Sequence, residues 1–157
     1  MVYVLRKHLG YNEQMDVKRK SITPSVARVL IGIVTFFNLQ CAFFFLFRPA
    51  DYAPGFELTG VPGAAIIQGM GLLFVMWNVP YLFALVNPLK YTVSLIEAVI
   101  MQAVGMFGET ILLLLLKGEH PLIKASVLRF IVFDGAGLVL LLIALLLILT
   151  FKRTQTK

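Results

Sequence analysis

Four long apolar runs, at about 24–47, 62–86, 91–116 and 121–151, leave this chain few ways to fold. Each is long enough to cross a bilayer as a helix, which takes about 20 predominantly apolar residues. Composition supports that reading. The chain is 59% hydrophobic and 14% charged over 157 residues, where a soluble domain is about 45–50% apolar and about 25% charged. A soluble protein this small has too little interior to hide so much apolar surface. Disorder, collagen, coiled coil and a disulfide-stapled secreted module are excluded by the same figures. The expectation is an all-α polytopic membrane protein, an up-down bundle of four transmembrane helices.

The breaks between the runs carry turn chemistry. Thr23 and Pro24 are residues suited to a cap and a first helical turn, so residues 1–23 read as a basic tail, with Val2, Tyr3, Val4, Leu5 and Leu9 able to touch the interface. Arg48-Pro49 ends the first run, because the residue before a proline is pushed out of the helical region. Residues 48–61 hold two prolines, two glycines and two acids and read as a loop. Pro80 should kink the second helix near its end. Asn87-Pro88 is a breaker, Lys117–His120 a tight turn, and Pro121 opens the fourth helix. Residues 152–157 form a second basic tail.

An even number of spans puts both termini on one side. Arg6, Lys7, Lys18, Arg19, Lys20, Lys90, Lys152, Arg153 and Lys157 fall on that side, and only Arg48, Lys117 and Lys124 on the other. The excess of basic residues marks the cytoplasmic face, so both termini are expected in the cytoplasm. The net charge of +6 is thereby explained by the anionic inner leaflet. No groove-reading motif or aromatic–basic platform accompanies it, so no nucleic-acid partner is expected. The single cysteine, Cys41, excludes an internal disulfide, a CxxC pair and a thiolate metal cluster, and reads as a small buried hydrophobe. Gln40 before it does not suit a lipoprotein cleavage site, and the polar, basic residues 1–24 do not suit a cleavable signal.

Charged side chains at membrane depth are costly and are usually paired or functional. This chain has five: Arg28, Glu97, Glu109, Arg129 and Asp134. Glu109 lies eight residues before Lys117 and Arg129 eight after Pro121, so both sit roughly 12 Å below the same surface. On antiparallel neighbours they form a candidate ion pair. Gln40 and Gln68 reach a similar level, so each helix delivers a hydrogen-bonding group to one layer. Asn38, Trp77, Asn78, Gln102 and Asp134 lie deeper. Asp134 has no cation at its depth. It is either protonated, or hydrogen-bonded to Asn or Gln groups, or met by a ligand or partner chain. Arg28 and Glu97, near the other face, form a second candidate pair.

Small residues mark where helices approach. Ala98, Gln102, Gly105 and Glu109 make one stripe on the third helix. Gly69 and Gly71 flank Gln68, and Gly135 and Gly137 flank Asp134. The runs Leu112–Leu116, Leu138–Leu142, Leu145–Leu149 and Phe43–Phe45 are expected to face lipid.

Each polar site has a plain structural reading beside the functional one. Glu109 with Arg129 can simply fix helix register, and Trp77 with Asn78 can be packing plus one interhelical bond. His120 reads as a solvated turn residue. Neither histidine lies in a span, so haem ligation is not expected, and no metal-ligand cluster is legible. G-x-S-x-G, H-E-x-x-H and phosphate-loop patterns are all missing, so no catalytic residue is assigned. Gln68-Gly69-Met70-Gly71 lies inside an apolar helix and reads as packing.

Ala27-Arg28-Val29-Leu30-Ile31-Gly32, together with Phe47-Arg48-Pro49, resembles the opening of DoxX-like small bacterial membrane proteins. The resemblance covers about a quarter of the chain, and the length and four-span plan fit it. It implies a four-helix bundle serving as an accessory subunit of quinone-dependent redox complexes. The leading expectation is thus a non-catalytic membrane protein. It binds a quinone or isoprenoid-like molecule, or docks with other membrane subunits, among Gln40, Gln68, Trp77, Asn78, Gln102, Glu109, Arg129 and Asp134. The alternative is a small proton-coupled transporter, acting as a homodimer, with Glu109 or Asp134 as the titrating carboxylate. Small multidrug exporters share the helix count, but their motif is not here. An integral membrane enzyme acting on lipid is the third class.

Overall fold

The computed structural model describes the backbone of residues 2–155 and the side chains of residues 23–155. The expected interfacial contacts of Val2–Leu9 lie outside the described side chains. Six α-helices follow one another: α1 Val2–Phe47, α2 Pro49–Tyr52, α3 Gly60–Trp77, α4 Val79–Val86, α5 Thr92–Leu115 and α6 Pro121–Gln155, with a 3-10 turn at Ala53–Phe56 between α2 and α3. No strand occurs among the described residues. Four segments are long and apolar enough to cross a bilayer: Thr23–Phe47, Gly60–Val86, Thr92–Leu115 and Pro121–Gln155. The protein is an all-α, multi-pass membrane protein.

Boundaries differ from the expected ones where tertiary packing or helix continuity wins. Helix α1 is continuous through Pro24 rather than starting there, and its described part, Thr23–Phe47, is a candidate span. The second span is two helices. Asn78 (φ −78°, ψ −5°) separates α3 from α4, two residues before Pro80, whose ring cannot follow an unbroken turn. The Asn78 side chain folds back and donates from Nδ2 to the Phe74 carbonyl at 2.7 Å. Helix α6 has 35 residues, a length of about 52 Å at 1.5 Å per residue. It must tilt or protrude from a hydrocarbon layer about 30 Å thick.

Around the bundle, α1 packs between α3 and α6, and α5 lies along α6. The ring closes only where α4 meets α5, since α3 makes no extended contact with α5 among the described residues. The break at Asn78 accounts for this: α4 stays on α5 while α3 leans away. The two ends of the bundle therefore differ. At the end carrying the termini, Ala27, Ile31, Val34, Tyr81, Ala84, Leu95, Ala98, Leu141, Ala144 and Ile148 form one buried core. At the loop end, a smaller core of Phe45, Ala53 and Ile67 is surrounded by aromatic side chains.

Leu141 and Ile148 are fully buried and so do not face lipid as expected. The Phe43–Phe45 run splits the same way: Phe43 is 55% exposed and Phe45 3%. A run of like residues on a helix must visit every azimuth, so only part of it can face outward.

Close approach of α3 to α1 depends on Gly71. A Cβ there would sit 3.0 Å from the Ala42 carbonyl oxygen and from Leu46. Gly69 has nothing within 4 Å of its added Cβ. Gly71→Leu is therefore expected to destabilise the bundle by about 1–3 kcal/mol through overpacking. Gly69→Ala should be neutral or stabilising by up to about 1 kcal/mol from helix propensity. Unfolding in detergent checks both; equal effects would refute the assigned α1–α3 contact.

Candidate functional site

Two adjoining hollows occupy the loop end. The larger, about 350 Å³, is lined by Phe37, Asn38, Gln40, Cys41 and Phe44 of α1, with Phe45, Tyr52, Phe74, Glu109, Arg129, Phe130, Phe133 and Asp134 completing it. The smaller, about 240 Å³, lies where α3 leans from α5 and includes Met70, Leu73, Trp77, Gln102 and Gly105. Asn38, Phe74, Glu109 and Asp134 line both. These four side chains form the waist at which the hollows meet, and the waist holds two carboxyl groups.

Asp134 is held from α5. Tyr81 donates its hydroxyl to Gln102 Oε1 at 2.6 Å, and Gln102 Nε2 donates to Asp134 Oδ1 at 2.8 Å. The tyrosine hydroxyl also lies 3.1 Å from the Ala98 carbonyl oxygen. The relay orients the Gln102 amide so that its NH2 faces the acid. Glycines make it sterically feasible. A Cβ on Gly105 would collide with Asp134 Oδ2, and one on Gly137 would stand 2.6 Å from Gln102 Nε2. Each polar side chain thus fills the notch left by a glycine on the facing helix, one turn from the other polar residue. Hydrogen bonding to a glutamine, one of the alternatives open for Asp134 in the sequence, is present in the structure.

The expected Glu109–Arg129 ion pair is not formed. Arg48 pairs with Asp51 and His120 with Glu57, but no ion pair within 4 Å joins Glu109 to Arg129. Counting residues placed Glu109 and Arg129 at one depth, and they do line one cavity. Depth does not fix azimuth: Arg129 is on the exposed side of α6 and Glu109 is turned inward. Glu109 Oε2 is buried without a hydrogen-bond partner, a condition costing about 1–3 kcal/mol or more. Asn78 Oδ1 is in the same condition, although Asn78 lines neither hollow.

The second expected pair is also not formed. Arg28 donates from Nε to the Leu85 carbonyl at 3.0 Å, where a cation suits the C-terminal end of α4. Glu97 is on the exposed face of α5. Gln68 lies outside both hollows, exposed, and donates to the Leu46 carbonyl at 3.2 Å, tying α3 to the end of α1. Gln40 lies exposed at the rim of the larger hollow, and Trp77 in the wall of the smaller.

Sequence reasoning missed the aromatic lining. Phe45, Phe56, Phe74 and Phe130 meet one another with ring centroids about 6 Å apart, at geometries favourable for aromatic pairs. Four phenylalanines on separate elements leave no short-range pattern, so spacing alone did not reveal them.

The loop is a cover, not a tether. Tyr52 lies against Phe45 and Phe56 stacks on Phe130, while Ser126 Oγ donates to the Gly55 carbonyl at 2.7 Å. His120, half-buried rather than freely solvated, lies 2.6 Å from Glu57 Oε2 through Nδ1. Gly118 lets the opposing turn close, at φ +88°. The hydrogen bond from His120 holds the Glu57 carboxyl below the usual glutamate range, against a smaller opposing effect of desolvation.

No protein family, curated protein or solved structure matches this chain. The fold and site define a small polytopic helical bundle, with a continuous buried core at one end and an aromatic-walled, acid-waisted hollow at the other.

A folded-state carboxyl held below its ordinary range stabilises the cover above that range and loses its effect as pH falls through the lowered value. Protection of the backbone amides at residues 53–59, with exchange corrected for its intrinsic pH dependence, should therefore be higher at pH 6 than at pH 3. Glu57→Gln should flatten the difference. An unchanged pH response in that variant would show that another group holds the cover.

Proposed function

We propose that this protein is a non-catalytic membrane protein that holds a lipidic small molecule, of the quinone or isoprenoid kind, in the hollow at its loop end. The observation that carries this reading is the larger hollow itself: about 350 Å³, walled by aromatic rings, with a few polar groups grouped on one side. That combination suits a ligand that must be fixed in orientation. Scale supports it. An apolar cavity of about 150 Å³ accepts benzene, so this one has room for a substituted ring and the start of a tail.

The geometry favours binding over proton-coupled transport. Transport needs the carboxylates to reach both aqueous faces in turn. Here Glu109 and Asp134 stand in the hollow end, and the core from Ala27 to Ile148 fills the bundle beyond them. Both hollows are walled partly by exposed apolar residues of the spans, Phe37 in one and Leu73 in the other. Access is thus from the lipid side, while the loop covers the water side.

Purification in gentle detergent, followed by mass spectrometry of the organic extract, should return one lipophilic molecule at near-equimolar ratio. Cys41→Phe, which places a ring inside the hollow, should lose it while staying monodisperse. A wild-type chain that is clean, ligand-free and monodisperse would overturn the reading. Stable co-purification of other membrane chains with no small molecule would replace it with the accessory-subunit reading.

The same reading places both termini in the cytoplasm, on the strength of the basic residues that flank the spans at that end. A C-terminal reporter active only in the cytoplasm should be active. An active periplasmic reporter at that position would reverse the orientation.

A further inference from the structure

We infer that two copies of this chain associate side by side through α4, with Arg28 of each copy meeting Glu97 of the other. The inference does not depend on what the hollow holds.

Depth comes first. Arg28 is five residues into the span that begins at Thr23, and Glu97 five into the span that begins at Thr92. These are the first and third spans of an up-down bundle, so they run the same way. Both charges therefore lie about 7–8 Å inside the same edge, at 1.5 Å per residue. Both are exposed, and no ion pair within 4 Å joins them. A charge on the outer surface of a span is costly and is usually met by a partner.

Azimuth comes next, and α4 stands between the two. Arg28 reaches from α1 to the Leu85 carbonyl of α4 through Nε at 3.0 Å, which uses one of its five N–H donors. On the other flank, the Tyr81 hydroxyl of α4 meets the carbonyl of Ala98, the residue after Glu97. Glu97, Met101 and Gly105 recur every four residues and follow one side of α5. Gly105 faces the second span across the smaller hollow. The cation thus flanks α4 on the α1 side and the acid on the α5 side. Between them α4 exposes Val79, Leu82, Phe83 and Val86, a single apolar stripe at i, i+3, i+4 and i+7.

Such a face is complementary to itself. A two-fold axis along the membrane normal keeps every residue at its depth and exchanges the two flanks. The α4 stripe then meets its own copy at the axis, and Arg28 faces the partner's Glu97 on each side of it, as an isologous contact requires. The depth agreement between Arg28 and Glu97 is thereby used between chains rather than within one. Charge complementarity commits the occupant to a second copy: any other partner would have to offer an acid and a base at one depth on opposite sides of α4.

Energy transfer between donor- and acceptor-labelled full-length chains in phosphatidylcholine vesicles tests this, read against the lipid-to-protein ratio. The wild type should self-associate. Arg28→Glu alone and Glu97→Arg alone should each associate about tenfold more weakly, the lower range of coupling for close charge pairs across an interface. Mixed with each other, the two variants should recover wild-type transfer, because the acids of the first then face the arginines of the second on both flanks. A pair within one chain cannot produce that rescue. A wild type that stays monomeric, single variants that associate as tightly as the wild type, or a mixture of two monodisperse variants no better than its parts overturns the inference. Oxidative cross-linking keeps the test open if the charge variants do not fold. Leu82→Cys should give a disulfide-linked dimer. Val139→Cys should not, since it is exposed on α6, which packs on α1 and α5 and lies across the bundle from α4. No cross-linking at Leu82→Cys, or equal cross-linking at both positions, overturns the inference as well.

Discussion

The Gln102–Asp134 hydrogen bond between α5 and α6 is the interaction on which the arrangement of this bundle depends. Two polar side chains in an apolar medium are tolerable only when each satisfies the other. Here they can meet because Gly105 and Gly137 leave room opposite them. The interlock sets the register of the two helices, since sliding either by one turn would drive an acid or an amide into a side chain instead of a glycine. Tyr81 extends it to α4, so three of the four spans are tied at one level by a chain of hydrogen bonds with a defined direction.

That level also divides the molecule. Toward the termini, small and branched apolar residues interdigitate around Tyr81 and Leu95. Toward the loops, the break at Asn78 turns α3 away from α5, and the space is walled by rings rather than filled. Aromatic side chains are large and rigid, so rings on separate helices that touch edge to face leave gaps flexible aliphatic chains would close. The covering loop compensates on the water side, with Phe56 stacked on Phe130 and His120 bonded to Glu57. The result is a hollow partly covered by the loop and bounded by exposed apolar surface of the spans.

Glu109 gains its meaning from this division. Had it paired with Arg129 it would have been a register device. Turned inward instead, it leaves Oε2 buried and without a hydrogen-bond partner.

The sequence alone determined the class and the plan. Four apolar runs cannot be hidden in a protein of this size except in a bilayer, and proline, glycine and asparagine chemistry placed breaks near Arg48, Asn87 and Lys117 and a kink at Pro80. It also singled out Gln102, Glu109 and Asp134, because polar groups at membrane depth are conspicuous by cost. What it could not supply was azimuth. Residue counting measures distance along a helix, so Glu109 and Arg129, or Arg28 and Glu97, appeared as partners because their depths agreed, though their side chains face different ways. Only the tertiary structure decided which groups meet: whether α5 and α6 turn Asp134 toward Gln102, whether four distant phenylalanines converge, and whether a proline-rich loop folds down as a cover. Those outcomes rest on helix rotation and close packing, which depend on every neighbour at once and leave no local trace in the order of residues.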